Sequence, residues 1–315
     1  MASPEPTRSE FRLQAVPRPA EAGTPNPKPR RLIVNADDFG LAHSVNEAVI
    51  RAHREGILTS ASLMVNEPGF DEAVKLAKEN PKLGVGLHLT LLLGHAALPP
   101  EIIPGLVNAR GEFSNSPVSA GLNYFFKRRL REPLRAEIHA QFEKFHATGL
   151  PLDHVNGHLH LHLHPVIFQI LMDDADKLRI RHMRLTRDCL ARSRRLARGR
   201  WFYRVSHAAI YAWLSRRARE PLRRRGIKHA QITFGLLQDS RVDEDYLLKL
   251  LPELPPGDSE LYSHPSLDKF KHEFDALVSP RVREQIQKLG IELIRHQDLN
   301  DEQLNPDDEI MTKPE

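Results

Sequence analysis

About eight short apolar runs, each followed by a stretch with helical spacing, limit this chain more than any other feature of its sequence. The runs RLIVN (31–35), SASLMV (60–65), GVGLHLT (84–90), HVNGH (154–158), IRHMRL (180–185), QITFG (231–235), ELYSH (260–264) and IELIR (291–295) read as strands. Helical spacing follows over 44–56 and 70–80, near 133–148, from Pro165 onward, and over 243–251, 268–277 and 280–289. In the first of these, Val45, Ala48, Val49 and Ala52 share one face, with Ser44 placed as N-cap and Gly56 as C-cap. Strands separated by helices are joined by crossovers, so the sheet is parallel and covered by helices. The expected fold class is α/β: a distorted (β/α) barrel with a parallel sheet, or failing closure an open doubly wound sheet.

Four of these runs end on polar residues that the strands themselves do not require. IVNADDFG places adjacent acids, Asp37 and Asp38, where a stability-minded sequence would avoid the repulsion. GLHLT ends near His88, HVNGH at His158, and ELYSHP at His264. In parallel α/β folds the C-terminal strand ends converge on one rim, where ligands bind. Two histidines and a carboxylate with open positions suit a catalytic metal, leaving an acid and a histidine for proton transfer. The run HVNGHLHLHLHP adds His160, His162 and His164. If it is extended, its histidines share one face and Leu159, Leu161 and Leu163 the other. The DFG within the first run also occurs in kinases, but here it lies too early in the chain and follows no Gly-rich loop.

Composition sets the remaining bounds. Of 315 residues 40% are apolar, enough for one such domain across 30–300. Residues 1–29, rich in Pro and charge and without the apolar core of a secretory signal, read as a disordered leader, and 301–315 as a loose tail. No apolar run nears the ~20 residues that cross a bilayer. The single Cys189 excludes an internal disulfide and a cysteine-built zinc site, and fits a reducing, cytoplasmic setting. The net charge of +4 hides an asymmetry: residues 181–228 hold 16 Lys/Arg against Asp188 and Glu220, so the rest sums to 4 − 14 = −10. Within 187–228, arginines flank Trp201, Phe202, Tyr203, Tyr211 and Trp213. This basic helical insertion either packs its aromatics on the barrel or lies on an anionic membrane surface at the inner face; nucleic acid is the weaker fit. The stretch NYFFKRR (123–129), inside a long loop, reads as a packed or lid-like helix.

Taken together, IVNADDFG, GLHLT, the Gly-His-x-His run before Pro165, and ELYSHP resemble the YdjC-like carbohydrate deacetylases, from about Arg31 to Leu299. HVNGHLHLHLHP and the basic segment look most like that family's hopanoid-biosynthesis-associated branch. The resemblance implies a hydrolase that removes the acetyl group from an amino-sugar conjugate such as an N-acetylglucosaminyl hopanoid lipid. It also implies one divalent ion, magnesium or zinc, on Asp38, His88 and His158. Asp37 is then the base that takes a proton from water, and His264 the acid that protonates the departing amine. Asn156 stands where many relatives carry Asp, and with His160 it is placed behind the ligands as an orienting group. A phosphoesterase or amidase on a non-sugar substrate, a non-enzymatic membrane- or RNA-binding module, and a homo-oligomer stay open.

Overall fold

The computed structural model describes residues 28–188, 196, 201–238 and 240–299. Most of the expected leader, the whole tail, Cys189 and the side chains of residues 201–203 lie outside the described residues. Strand β1 (Arg30–Phe39) is the spine: Leu32, Ile33, Val34 and Ala36 are wholly buried, each larger side chain contributing roughly 1.5–3 kcal/mol by leaving water. On one side β1 pairs in parallel with β6 (Gly257–Ser263), which pairs with β5 (Ile232–Phe234). On the other, its first half meets β7 (Glu292–Ile294) and its second half meets β2 (Ser60–Leu63). Beyond β2 come β3 (Gly84–Leu89) and the three-residue β4 (Val155–Gly157), all parallel.

The two ends of this curled sheet are joined by residues 181–187, which hydrogen-bond to β4 through Val155 and to the β5 side through Lys228 and Thr233. The run IRHMRL therefore forms isolated bridges and not the ladder its pattern suggests. Its neighbours are only three residues long at that level, which leaves no room for consecutive pairs. The result is an α/β fold with a curled parallel sheet, a half-barrel whose two ends meet only through these bridges.

Helices α1 (His43–Glu55), α2 (Phe70–Glu79), α3 (Pro117–Phe126), α4 (Arg131–Ala147), α5 (Pro165–Asp173) and α6 (Trp201–Arg224) follow in order. After β5 come α7 (Glu244–Leu250), α8 (Lys271–Val278) and α9 (Pro280–Lys288). Ser44 is not the cap of α1: Ala42 holds that position, with no side-chain cap. Asn46 in the first turn serves instead, accepting from the Gly40 amide and donating to the Gly69 carbonyl and Glu72. It thereby fastens the turn after β1 to the start of α2. Gly40 itself has φ of +92°, and a Cβ there would lie 2.8 Å from the Met64 carbonyl, so only glycine fits.

The histidine run departs most from its sequence pattern. It is not extended but forms a 3-10 turn over His158–Leu163, broken by left-handed Leu159 (φ 50°) and His160 (φ 58°). Leucine in particular disfavours that conformation, so the turn stores strain of about 1–3 kcal/mol at Leu159. Consequently the histidines do not share a face, and Leu159 is half exposed while Leu163 is buried.

Candidate active site

The adjacent acids face one site because β1 is irregular where they sit. Its register against β2 slips between Ala36 and Phe39, and Asp38 adopts a left-handed φ of 64°. In a regular strand successive side chains point to opposite faces. The slip lets both carboxylates line one cavity of about 450 Å³, together with His158 and His264.

Asp38, His88 and His158 converge. Asp38 Oδ1 lies 3.2 Å from His88 Nε2 and 3.0 Å from His158 Nδ1. The two imidazoles meet edge to face, with centroids 5.5 Å apart, so their ring nitrogens point at a common centre. His88 Nδ1 donates to Asn156 Oδ1 at 2.7 Å, which orients the ring and turns Nε2 toward Asp38. Burial opposes charge on Asp38, but hydrogen bonds from His158 and His88 hold its carboxyl well below the ordinary value. Burial likewise pushes His158 down, while Asp38 carries it above its ordinary value. This donor set, Asp38 and His158 on the cavity wall with His88 buried behind them, fits a divalent ion.

Asp37 is held from every side. Arg184, completely buried, binds it with both terminal nitrogens, at 2.7 Å to Oδ2 and 2.9 Å to Oδ1. Oδ1 also accepts from Asn35 at 2.8 Å and from Asn156 at 3.1 Å. Burial raises the Asp37 carboxyl, yet the Arg184 guanidinium, with His88 behind it, pulls it well below the carboxylate range. Asn156 thus accepts from His88 while donating to Asp37 and Ser62, a combination that a carboxylate at that position could not offer.

His264 sits on the cavity wall with its ring between Tyr262 and Phe270, and its amide donates to Glu273 at 2.5 Å. His160 lies apart from the three converging side chains. It is buried against Tyr262 and Tyr211, and burial holds it well below its ordinary pKa. His162 Nε2 donates to the Arg184 carbonyl, with burial pushing its pKa down to about 3; His164 Nε2 donates to the Gly121 carbonyl. These three are neutral anchors that fix the turn from which His158 projects.

Sequence reasoning passed over Arg184. It hid among sixteen basic residues of a segment read as surface, although its place between Met183 and Leu185 in a strand-like run was a signal. Its other partner is Glu260 at 2.7 Å, held at about 2 because Arg184 and His296 outweigh burial. Below it, Asp153, His154 and His296 form a second compact cluster. Its two rings stack with centroids 3.9 Å apart at 21°. Burial opposes charge on His296, but Glu260 and Asp153 lift it to about 9. His296 is a buried cation, and this cluster is an ion-paired core.

The YdjC-like protein family model matches residues 31–288, which include Asp37, Asp38, His88, His158, Arg184 and His264 but not His296. The chain belongs to the YdjC-like family. A carbohydrate deacetylase of Brevibacillus brevis is 43% identical over 150 residues, 48% of this chain and 57% of that protein. A chitooligosaccharide deacetylase of Proteus mirabilis is 38% identical over 149 residues, 46% of this chain and 55% of that protein. The chain thus spans little more than half the length of these curated relatives. A carbohydrate deacetylase of Thermoanaerobacter pseudethanolicus aligns further, at 29% identity over 75% of this chain and 80% of its own length. Among solved structures, one from Enterococcus faecalis V583, assigned provisionally to cellobiose-phosphate cleavage, superposes with a TM-score of 0.65. It is 24% identical and covers 85% of this chain and 98% of that one, a match of fold.

Proposed function

We propose that this YdjC-like chain is a metal-dependent N-deacetylase of an amino-sugar conjugate, with a glycosylated hopanoid lipid as its substrate. The observation that carries the reading is the convergence of Asp38, His158 and the buried His88, at a cavity that Asp37, Asp38, His158 and His264 line. The similarity to a carbohydrate deacetylase and a chitooligosaccharide deacetylase supports the reaction class. Leu41, Leu159, Pro265 and Phe270 line the same cavity and support a substrate with an apolar part next to its sugar.

In this reading Asp38, His88 and His158 hold the ion, magnesium or zinc, and Asn156 orients His88. The ion supplies Lewis acidity toward a water and the acetamide carbonyl, which a base as weak as Asp37 requires. Asp37 keeps one lone pair free on Oδ2, where Arg184 is the sole donor described, and it takes the proton of the attacking water there. His264 donates a proton to the amine as the amide C–N bond breaks, so water and amide become acetate and a free amino sugar. A phosphoesterase is less well supported, because no further acids flank this cluster among the described residues in the way that two metals need. Contact of the 187–228 segment with an anionic membrane surface belongs to the same proposal; among the described residues no helix is long and apolar enough to cross a membrane.

The test is acetate release from N-acetylglucosamine conjugates, with and without chelator. Release that stops with chelator and returns with a divalent ion supports the reading. Release unaffected by exhaustive chelation contradicts the metal, and release from no N-acetylated sugar contradicts the substrate class.

A further inference from the structure

Helix α3 is built the wrong way round for a packed helix. Val118, Leu122, Phe125 and Phe126 fall on one face by their spacing, and they are 73%, 55%, 49% and 71% exposed. Its opposite side is the packed one: Ala120 and Tyr124 are buried, with the Tyr124 hydroxyl donating to the Leu91 carbonyl at 2.8 Å. Directly after the apolar face come Lys127, Arg128 and Arg129, all exposed. Four large apolar side chains exposed together on ten residues form a patch of the kind that soluble surfaces avoid unless something covers it.

Helix α6 continues the pattern. Ile210 and Trp213 are exposed on the face that also carries exposed Arg216 and Arg217 one turn further on. The two helices border one depression. A cavity of about 360 Å³ is lined by Phe125 of α3, Arg131 and Arg135 of α4, Val166 of α5 and Arg217 of α6, with Glu132 and Asp173 as its acids. Both helices are also tied to the turn that carries His158. His164 donates to Gly121 of α3, and the His160 ring meets Tyr211 of α6 at 5.4 Å.

We infer that the exposed faces of α3 and α6 form a docking surface for an anionic lipid bilayer, beside the turn that carries His158. The apolar face of α3 enters the boundary between headgroups and acyl chains, with Trp213 at headgroup depth. The flanking arginines and Lys127 lie against lipid phosphates. Charge selects this occupant. A second copy of the chain docked by the same face would press two basic clusters together. A nucleic acid would satisfy the arginines but leave Val118 and Leu122 in water. The surface extends the membrane contact proposed above from the basic segment to α3. Its test reads binding alone, so its failure leaves the deacetylase reading standing.

The experiment is co-sedimentation of the full chain with vesicles of mixed phosphatidylcholine and phosphatidylglycerol, beside vesicles of phosphatidylcholine alone. Binding is expected only with the anionic vesicles, and it weakens as salt rises. Phe125→Ser/Phe126→Ser and Arg128→Glu/Arg129→Glu are each expected to weaken it by about tenfold or more. Melting and acetate release from a small soluble N-acetylated sugar stay at the parent value in both. Should the serines perturb folding, Val118→Asp tests the same face at its most exposed position. Absence of binding at low salt, or binding indifferent to all three variants, overturns the proposal. So does a dimer in solution that these variants convert to monomer, because the face would then be covered by a second copy.

Discussion

Replacing Arg184 by methionine tests the electrostatic frame of the site. The side chain is completely buried and makes three charge-assisted hydrogen bonds, two to Asp37 and one to Glu260, with the Tyr262 ring 4.8 Å from its guanidinium carbon. Methionine fills much of the volume but leaves Asp37 without its guanidinium and Glu260 with His296 as its remaining cation. Breaking a buried pair by removing one partner costs about 3–5 kcal/mol, and the loss of Arg184 from two acids at once places this variant near the upper figure. With a denaturant slope near 3 kcal/mol per molar, the urea midpoint falls by roughly 1.5 M. Adding Glu260→Gln removes one of the two acids, so Arg184→Met/Glu260→Gln is expected to be more stable than Arg184→Met alone. The assay is urea unfolding followed by circular dichroism on the parent, both single variants and the double. A loss below about 1 kcal/mol for Arg184→Met, or strictly additive effects across the cycle, would refute the view that Arg184 neutralises both acids.

Further outcomes follow from the same geometry. Asp37→Asn is expected to keep its metal, measured by elemental analysis, while acetate release falls by about 10²–10⁴-fold; full activity would remove Asp37 as the base. Asn156→Ala frees the His88 ring, and divalent-ion affinity by calorimetry should weaken by about 10–100-fold with the fold intact. Stability should also depend on pH through the buried histidines. His296, raised to about 9, contributes stability that is complete below pH 6.5 and lost as pH climbs through 9, on the order of 3 kcal/mol. His154 is lowered to about 4, chiefly by burial, so stability is also lost as pH falls from 6.5 toward 4. Melting temperature should therefore peak near pH 6.5, and His296→Gln should flatten the alkaline limb; an unchanged limb would show that His296 is not the buried cation.

Much of the barrel was legible because apolar runs and helical spacing alternate along the chain, and that order leaves a parallel sheet as the consistent solution. The gathering of Asp37, Asp38, His88, His158 and His264 was legible for the same reason: each stands at a strand end. What the pattern could not carry was anything set by irregular backbone or by distant partners. Nothing in the identities of Leu159 and His160 signals left-handed φ, so alternating His and Leu suggested a strand where a strained turn exists. Arg184 looked like one more surface arginine because its two acids lie 147 and 76 residues away in sequence. The stacked His154 and His296 pair joins the middle of the domain to its C-terminal end. The short run at 181–187 reads as a strand by composition, yet its pairing is limited by how briefly β4 and β5 accompany it.

Anomalous scattering from crystals grown with manganese tests the central claim most directly, because the structure offers two compact clusters of histidine and acid. One strong peak is expected within bonding reach of Asp38, His88 and His158, and its loss in His158→Ala. A peak at Asp153, His154 and His296, or none at either cluster with manganese in excess, would contradict the account.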